Sequence, residues 1–156
     1  MKNYIYFILP VFLTAAFAVN GNAEKLSVTA ELLIQNVVPG ETYSLKAVAN
    51  APLRLTNDTD QAMEIKVAPI LPDKAFLRKG YIPVPSISWI KIEQDKLVLA
   101  PHQVKFVDVL ISVPKSAKYL NKMYQAHIWF QSVPKRNSGV QMSYGLESII
   151  LIKTIK

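Results

Sequence analysis

No cysteine occurs in the 156 residues. The fold therefore holds without disulfides, thiolate metal ligands or a thiol nucleophile. Glycine is scarce, five in all, and one of these, Gly21, lies in an N-terminal segment read below as a leader. So few glycines nearly exclude a phosphate-cradling loop. The two histidines, His102 and His127, have no Asp or Glu beside them in sequence, and both are expected to face solvent. Neither H-E-x-x-H nor G-x-S-x-G occurs, and no acidic cluster has calcium-loop spacing. The chain reads as a non-enzyme with no cofactor and no metal. Beyond the N-terminal segment no apolar run approaches the ~20 residues that a membrane-spanning helix takes.

What is present begins with that N-terminus. Lys2 supplies a positive start, Tyr4 to Ala18 is apolar save for Pro10 and Thr14, and small residues follow at Ala16, Ala18, Gly21 and Ala23. The apolar run is short for a bilayer span and has the form of a secretory signal. Residues 1–23 are expected to be a signal peptide, cut after Ala23 because Glu24 and Lys25 open a polar stretch. Cleavage after Ala18 is the alternative site, and an uncleaved anchor the alternative fate. Residues 24–156 then suit a single domain with a real core. The protein is expected outside the cytoplasm, in a periplasm or at a cell surface.

Without Lys2, 17 basic residues face 11 acidic ones, a net charge of +6. Nucleic acid is an unsuitable partner for an exported chain. Basic residues are mostly scattered, clustering only at Arg78-Lys79, Lys135-Arg136 and the Lys115, Lys118, Lys122 group. Solvated loop charge accounts for them, or else an anionic surface polymer or acidic protein partner.

Apolar and polar residues alternate with period two through most of the chain, the mark of half-buried strands. Leu26 to Ile34, Tyr43 to Ala49, Leu53 to Leu55, Met63 to Val67, Trp89 to Ile92, Leu97 to Leu99, Val104 to Val113, Met123 to Val133 and Val140 to Ile155 are the strand candidates. Val38-Pro39-Gly40-Glu41 reads as a turn with Gly40 at positive φ. Prolines sit at strand ends, where no ladder donor is lost. The expected fold is all-β: an antiparallel immunoglobulin-like sandwich of two sheets and about seven or eight strands. Val107, Val109, Ile111 and Val113 should meet Tyr124, Ala126, Ile128 and Phe130 across its interior. Ile70 to Ser88 is long for a loop in a compact domain; it either covers a sheet edge or forms a partner-binding arm.

From Leu53 to Lys153 the pattern resembles the immunoglobulin-like domain of the periplasmic pilus-chaperone superfamily (PapD-like) and related bacterial cell-surface domains. Leu53-Arg54-Leu55-Thr56-Asn57 with Ile65-Lys66-Val67 resembles its strand B, Asn turn and strand C. Leu97-Val98-Leu99-Ala100-Pro101-His102-Gln103 with Val107-Asp108-Val109 is similar to its L-x-P-G-x-x-x-x-V-x-V element, with His102 where glycine is usual. Tyr124 to Pro134 resembles strand F, and Val140 to Lys153 the long strand G. The resemblance implies a protein-binding module that assists assembly of pili or other surface structures by strand addition.

Two departures bear on this. Pilus chaperones carry a second β domain after strand G, whereas the residues to Lys156 suffice for one. The family grips a terminal carboxylate with an arginine near its first strand and a lysine in strand G. Here Leu26 to Ile34 holds no arginine, and the lysine position falls near Ile149 or Ile150, with Lys153 close by. Strand G itself has one charge, Glu147, and no proline between Val140 and Ile152, unlike a blunted edge. It is either a covered strand or an edge offered to a partner. The candidate contacts are Met142, Tyr144, Leu146, Ile150 and Lys153, with His127, Trp129, Arg78 and Lys79 as secondary surface candidates. The alternative function is an envelope domain that binds an anionic or carbohydrate polymer, Trp129 and His127 supplying a sugar platform.

Overall fold

The computed structural model describes residues 26–49, 52–133, 143 and 145–155. Within these the period-two stretches are strands. In order they are β1 (Leu26–Val28), β2 (Glu31–Val37), β3 (Thr42–Ser44), β4 (Leu53–Asn57), β5 (Met63–Ile70), β6 (Ile82–Pro83), β7 (Ile90–Ile92), β8 (Lys96–Leu99), β9 (Val104–Val107), β10 (Val109–Ser112), β11 (Met123–Val133) and β12 (Gly145–Thr154). One short helix, α1 (Leu45–Ala49), stands where the alternation suggested that a strand would continue. Its first turn is held by Asp108, whose carboxylate accepts from the Lys46 N–H at 3.0 Å and from Ser44 Oγ at 2.6 Å.

One layer is a sheet in the order β2-β12-β11-β5-β8. The other is split into two three-stranded sheets, β1-β4-β9 and β3-β10-β7. The split falls at Asp108, which interrupts the expected run from Val104 to Val113. Its side chain also accepts from the Val109 N–H at 2.9 Å, a local bond that competes with the ladder. Most pairings are antiparallel, but β2 runs parallel to β12 and β6 parallel to β11. The sequence alternation could not show that Leu26 to Ile34 divides in this way. β1 pairs with β4, and after Thr29 and Ala30 the chain crosses to the other layer as β2.

The core fills the space between the layers. Val107, Val109, Ile111 and Val113 are buried in one cluster with Tyr124, Ala126, Ile128 and Phe130, as their spacing requires. Each large side chain taken fully out of water contributes about 1.5–3 kcal/mol. Gly40 takes φ 105°, the left-handed region expected of that turn. Asn36 (φ 60°) forms an irregularity near the end of β2, where the register to β12 shifts between Ile152 and Thr154.

Candidate functional site

β12 is covered along part of its length and bare along the rest. On one side it pairs with β11 from Gly145 to Lys153. On the other it pairs with β2 only from Ile149 onward. The Ile149 N–H donates to the Ala30 carbonyl at 2.9 Å, and Ser148 Oγ donates to the Thr29 carbonyl. Backbone groups alternate in direction along a strand. The N–H groups of Gly145 and Glu147 therefore point to the same side as that of Ile149, ahead of the point where β2 begins. β1 passes this corner but spends its hydrogen bonds on β4. Among the described residues no strand pairs with β12 along this side from Gly145 to Glu147.

The candidate contact residues divide accordingly. Leu146 is half-buried against the core, and Lys153 is half-buried at the far end beside Met123. Ile150 is fully buried among the core residues, so its side chain supplies cohesion rather than a contact surface. Met142 and Tyr144 lie outside the described residues.

The outer face of the sheet beside this edge is roofed by the segment from Leu71 to Tyr81. The roof is pinned by one side chain. Gln125, fully buried on β11, accepts from the Arg78 N–H at 2.8 Å and donates to the Phe76 carbonyl at 2.9 Å. Its amide nitrogen also lies 2.6 Å from His127 Nε2, and His127 Nδ1 lies 2.8 Å from Glu147 Oε1. An amide nitrogen only donates, so this chain of partners makes His127 Nε2 an acceptor and Nδ1 the proton-bearing atom, aimed at Glu147. His127 is thus 2 % exposed, a correction to its expected place in solvent. Sequence distance hid its acidic partner, which β12 brings across the ladder. His102, in contrast, is exposed and paired with Asp60 at 2.8 Å.

Arg78 reaches past β12 to β2 and binds Glu31 at 2.8 Å. The segment then returns through β6 and extends the sheet along β11 at Tyr124 and Gln125. The long loop is therefore a cover on the sheet, although Phe76 at its crest stays 68 % exposed. Replacing Gln125 with leucine should release this cover. Trypsin is then expected to cut after Arg78 or Lys79 at least about tenfold faster, the rate following the population of the opened segment; an unchanged rate would show that the roof holds by other means.

Trp129 sits farther along β11 and leans across to Gly145. A Cβ built on Gly145 would fall 2.1 Å from the indole Cζ2, so glycine is needed for the ring to lie flat there. The ring is 37 % exposed at the entrance to the bare edge. Two buried or half-buried phenols have shifted protons. Burial first, then the hydrogen bond to Glu41, raises Tyr43, and burial raises Tyr124.

Solved structures similar to the chain bear on its fold. A PapD-like domain of human CEP192 is 13% identical with a TM-score of 0.59, covering 100% of this chain and 98% of that one. The fold is PapD-like. The E. coli chaperone DraB is 13% identical with a TM-score of 0.55, over 84% of this chain and 55% of that one. The Salmonella enterica SafA pilin in complex with the SafB chaperone gives 10% identity and a TM-score of 0.53, over 84% and 55%. The chain thus spans about half the length of the chaperones it matches. No family model and no curated protein matches it. The PapD-like, immunoglobulin-like architecture read from the sequence is the one the structure has, and its neighbours are chaperones and PapD-like domains.

Proposed function

We propose that this is an exported, non-enzymatic protein-binding domain that assists assembly of pili or other surface structures by strand addition. The supporting observation is the one-sided pairing of β12. From Gly145 to Glu147 its outer N–H and C=O groups have no strand partner among the described residues, while the same strand is held rigidly by β11 on its other side. An extended segment of a surface subunit laid along this edge would gain main-chain hydrogen bonds, with Leu146 and the Trp129 ring beneath and beside it. Met142 and Tyr144 would continue the contact. The likeness to chaperones, one of them solved with a pilin, supports the same reading and a periplasmic location after removal of residues 1–23.

The test separates backbone from side chain. The Glu147 N–H faces the bare side and not β11, so Glu147→Pro deletes an edge donor without deleting a ladder donor. Glu147→Ala removes the carboxylate that accepts from His127 Nδ1 but keeps that N–H. A surface subunit that co-purifies with the exported wild-type protein should be retained by the alanine variant and lost by the proline variant, with both folded by circular dichroism. Equal retention would show that the partner does not add a strand here.

A further inference from the structure

We propose that the end of the sandwich opposite the bare edge is a docking surface for an anionic phospholipid layer. Five lysines from three separate segments converge there. Lys153 pairs in register with Met123. Lys122 accepts at its carbonyl from the Thr154 N–H at 2.9 Å, and its own N–H donates to Thr154 Oγ1 at 2.9 Å. Thr154 Oγ1 also donates to the Tyr119 carbonyl at 2.6 Å, which brings Lys118 to the same place. Lys79 precedes Gly80, whose position lies 2.9 Å from the Met123 methyl when a Cβ is built there. Lys115 lies against Gly40, and the Gly40 N–H donates to the Val113 carbonyl at 2.7 Å.

None of these ammonium groups has an ion-pair partner among the described residues. The nearby carboxylates are already engaged, Glu41 by the Tyr43 hydroxyl and Glu31 by Arg78. Four of the five lysines are exposed and Lys153 is half-buried. Among the described residues the one aromatic contact of these lysines is Lys118 Nζ, 4.8 Å from the Tyr119 ring centre.

The form of the surface selects its partner. The lysines are hydrated point charges on flexible stems, and among the described residues no hydrogen bond fixes the direction of their ammonium groups. Such groups suit a laterally mobile layer of phosphodiester headgroups better than a ligand of fixed geometry. Ile155, exposed at this end, and half-buried Leu120 add apolar side chains of the kind that enter the interfacial layer. The surface is independent of strand addition. Nine residue steps of β12 separate Gly145 from Thr154, roughly 30 Å, so both ends can be occupied together.

The experiment is flotation of the purified protein with vesicles. Wild-type protein should float with phosphatidylglycerol–phosphatidylcholine vesicles at about 0.05 M salt and lose binding near about 0.5 M, where charges are screened within a few ångströms. Each lysine near an anionic surface contributes about fivefold. Reversing Lys115, Lys118 and Lys122 together (Lys→Glu) should therefore weaken binding by at least about a hundredfold. A control with Lys66, Lys91 and Lys96 reversed has the same net charge and should weaken binding by less than about tenfold. The milder Lys→Gln set at the same three pole positions keeps the test open if charge reversal disturbs the fold. The proposal is overturned by absence of flotation, by equal flotation on phosphatidylcholine alone, by equal losses in pole and control variants, or by retention on dextran sulfate without any on vesicles.

Discussion

Replacing Asn57 with alanine is expected to lower the stability of the domain by about 2–4 kcal/mol, the cost of leaving several buried partners unpaired. Asn57 ends β4 with no exposure to solvent. Its amide nitrogen donates to the carbonyls of Gln61, Ala100 and Leu99 at 2.7, 2.9 and 3.3 Å. Its amide oxygen accepts from the Thr59 N–H at 3.1 Å and from Thr59 Oγ1 at 2.7 Å. One side chain thus ties the β4–β5 turn to the β8–β9 turn and closes one end of the sandwich. At roughly 3–5 °C per kcal/mol for a domain of this size, Tm should fall by about 10 °C. Asn57→Asp discriminates the cause. It keeps the acceptor for Thr59 but sets a carboxylate against three carbonyls. If donation to those carbonyls is the main contribution, aspartate will be worse than alanine; a milder effect would falsify this account. Asn57-Asp58-Thr59 also has the form of an N-glycosylation acceptor, but an amide nitrogen engaged with three carbonyls is closed to that modification in the folded state.

The legible parts of the fold were those set by local chemistry. Alternation along β11 placed Tyr124, Ala126, Ile128 and Phe130 inward because side chains on a strand have a period of two whatever the strand pairs with. Gly40 announced a positive φ because few other residues adopt one cheaply. The substitution of His102 at a position where the family uses glycine also carried structural meaning. His102 has φ 55°, a conformation that histidine tolerates at some cost. The illegible parts were those settled by a distant partner. Asp108 looked like one polar residue inside a strand, yet Ser44 and Lys46, more than sixty positions earlier, fix it as the break between β9 and β10. His127 read as a histidine facing solvent, and Gln125 two positions before it carried no sign of burial. Their burial depends on a roof whose anchoring bonds come from Phe76 and Arg78. Whether β12 was an edge could not be decided by its own residues. The answer lies in β2, which joins it only from Ile149: from there β12 is paired on both sides, and before it, among the described residues, on the β11 side alone.

Trp89→Ala should be the most damaging single change in the second half of the chain. Trp89 is 3 % exposed and ends the long segment in a one-turn 3-10 helix, Ile87–Trp89, capped by Ser86. Its ring meets Tyr119 edge-on at 4.8 Å and Tyr124 at 5.0 Å. Truncating a buried tryptophan costs about 3–5 kcal/mol, a large share of the 5–15 kcal/mol that holds a domain together. Trp89→Phe, which keeps an aromatic edge in the site, should cost less than half as much in urea denaturation. Alkaline titration supplies a second readout. Burial raises the Tyr124 phenol above its ordinary value, so the folded state holds this proton more tightly than the unfolded chain does. Stability from this source is intact below about pH 10 and is lost as pH rises from there through the folded-state value. Removing the Trp89 ring opens Tyr124 to water, which draws its phenol back toward the ordinary value. The alkaline decline should therefore be shallower in Trp89→Ala than in the wild type, at lower stability throughout. An equally steep decline would mean that Tyr124 stays buried without the indole, and that the main role of Trp89 is to hold Tyr119 and the lysine-bearing turn.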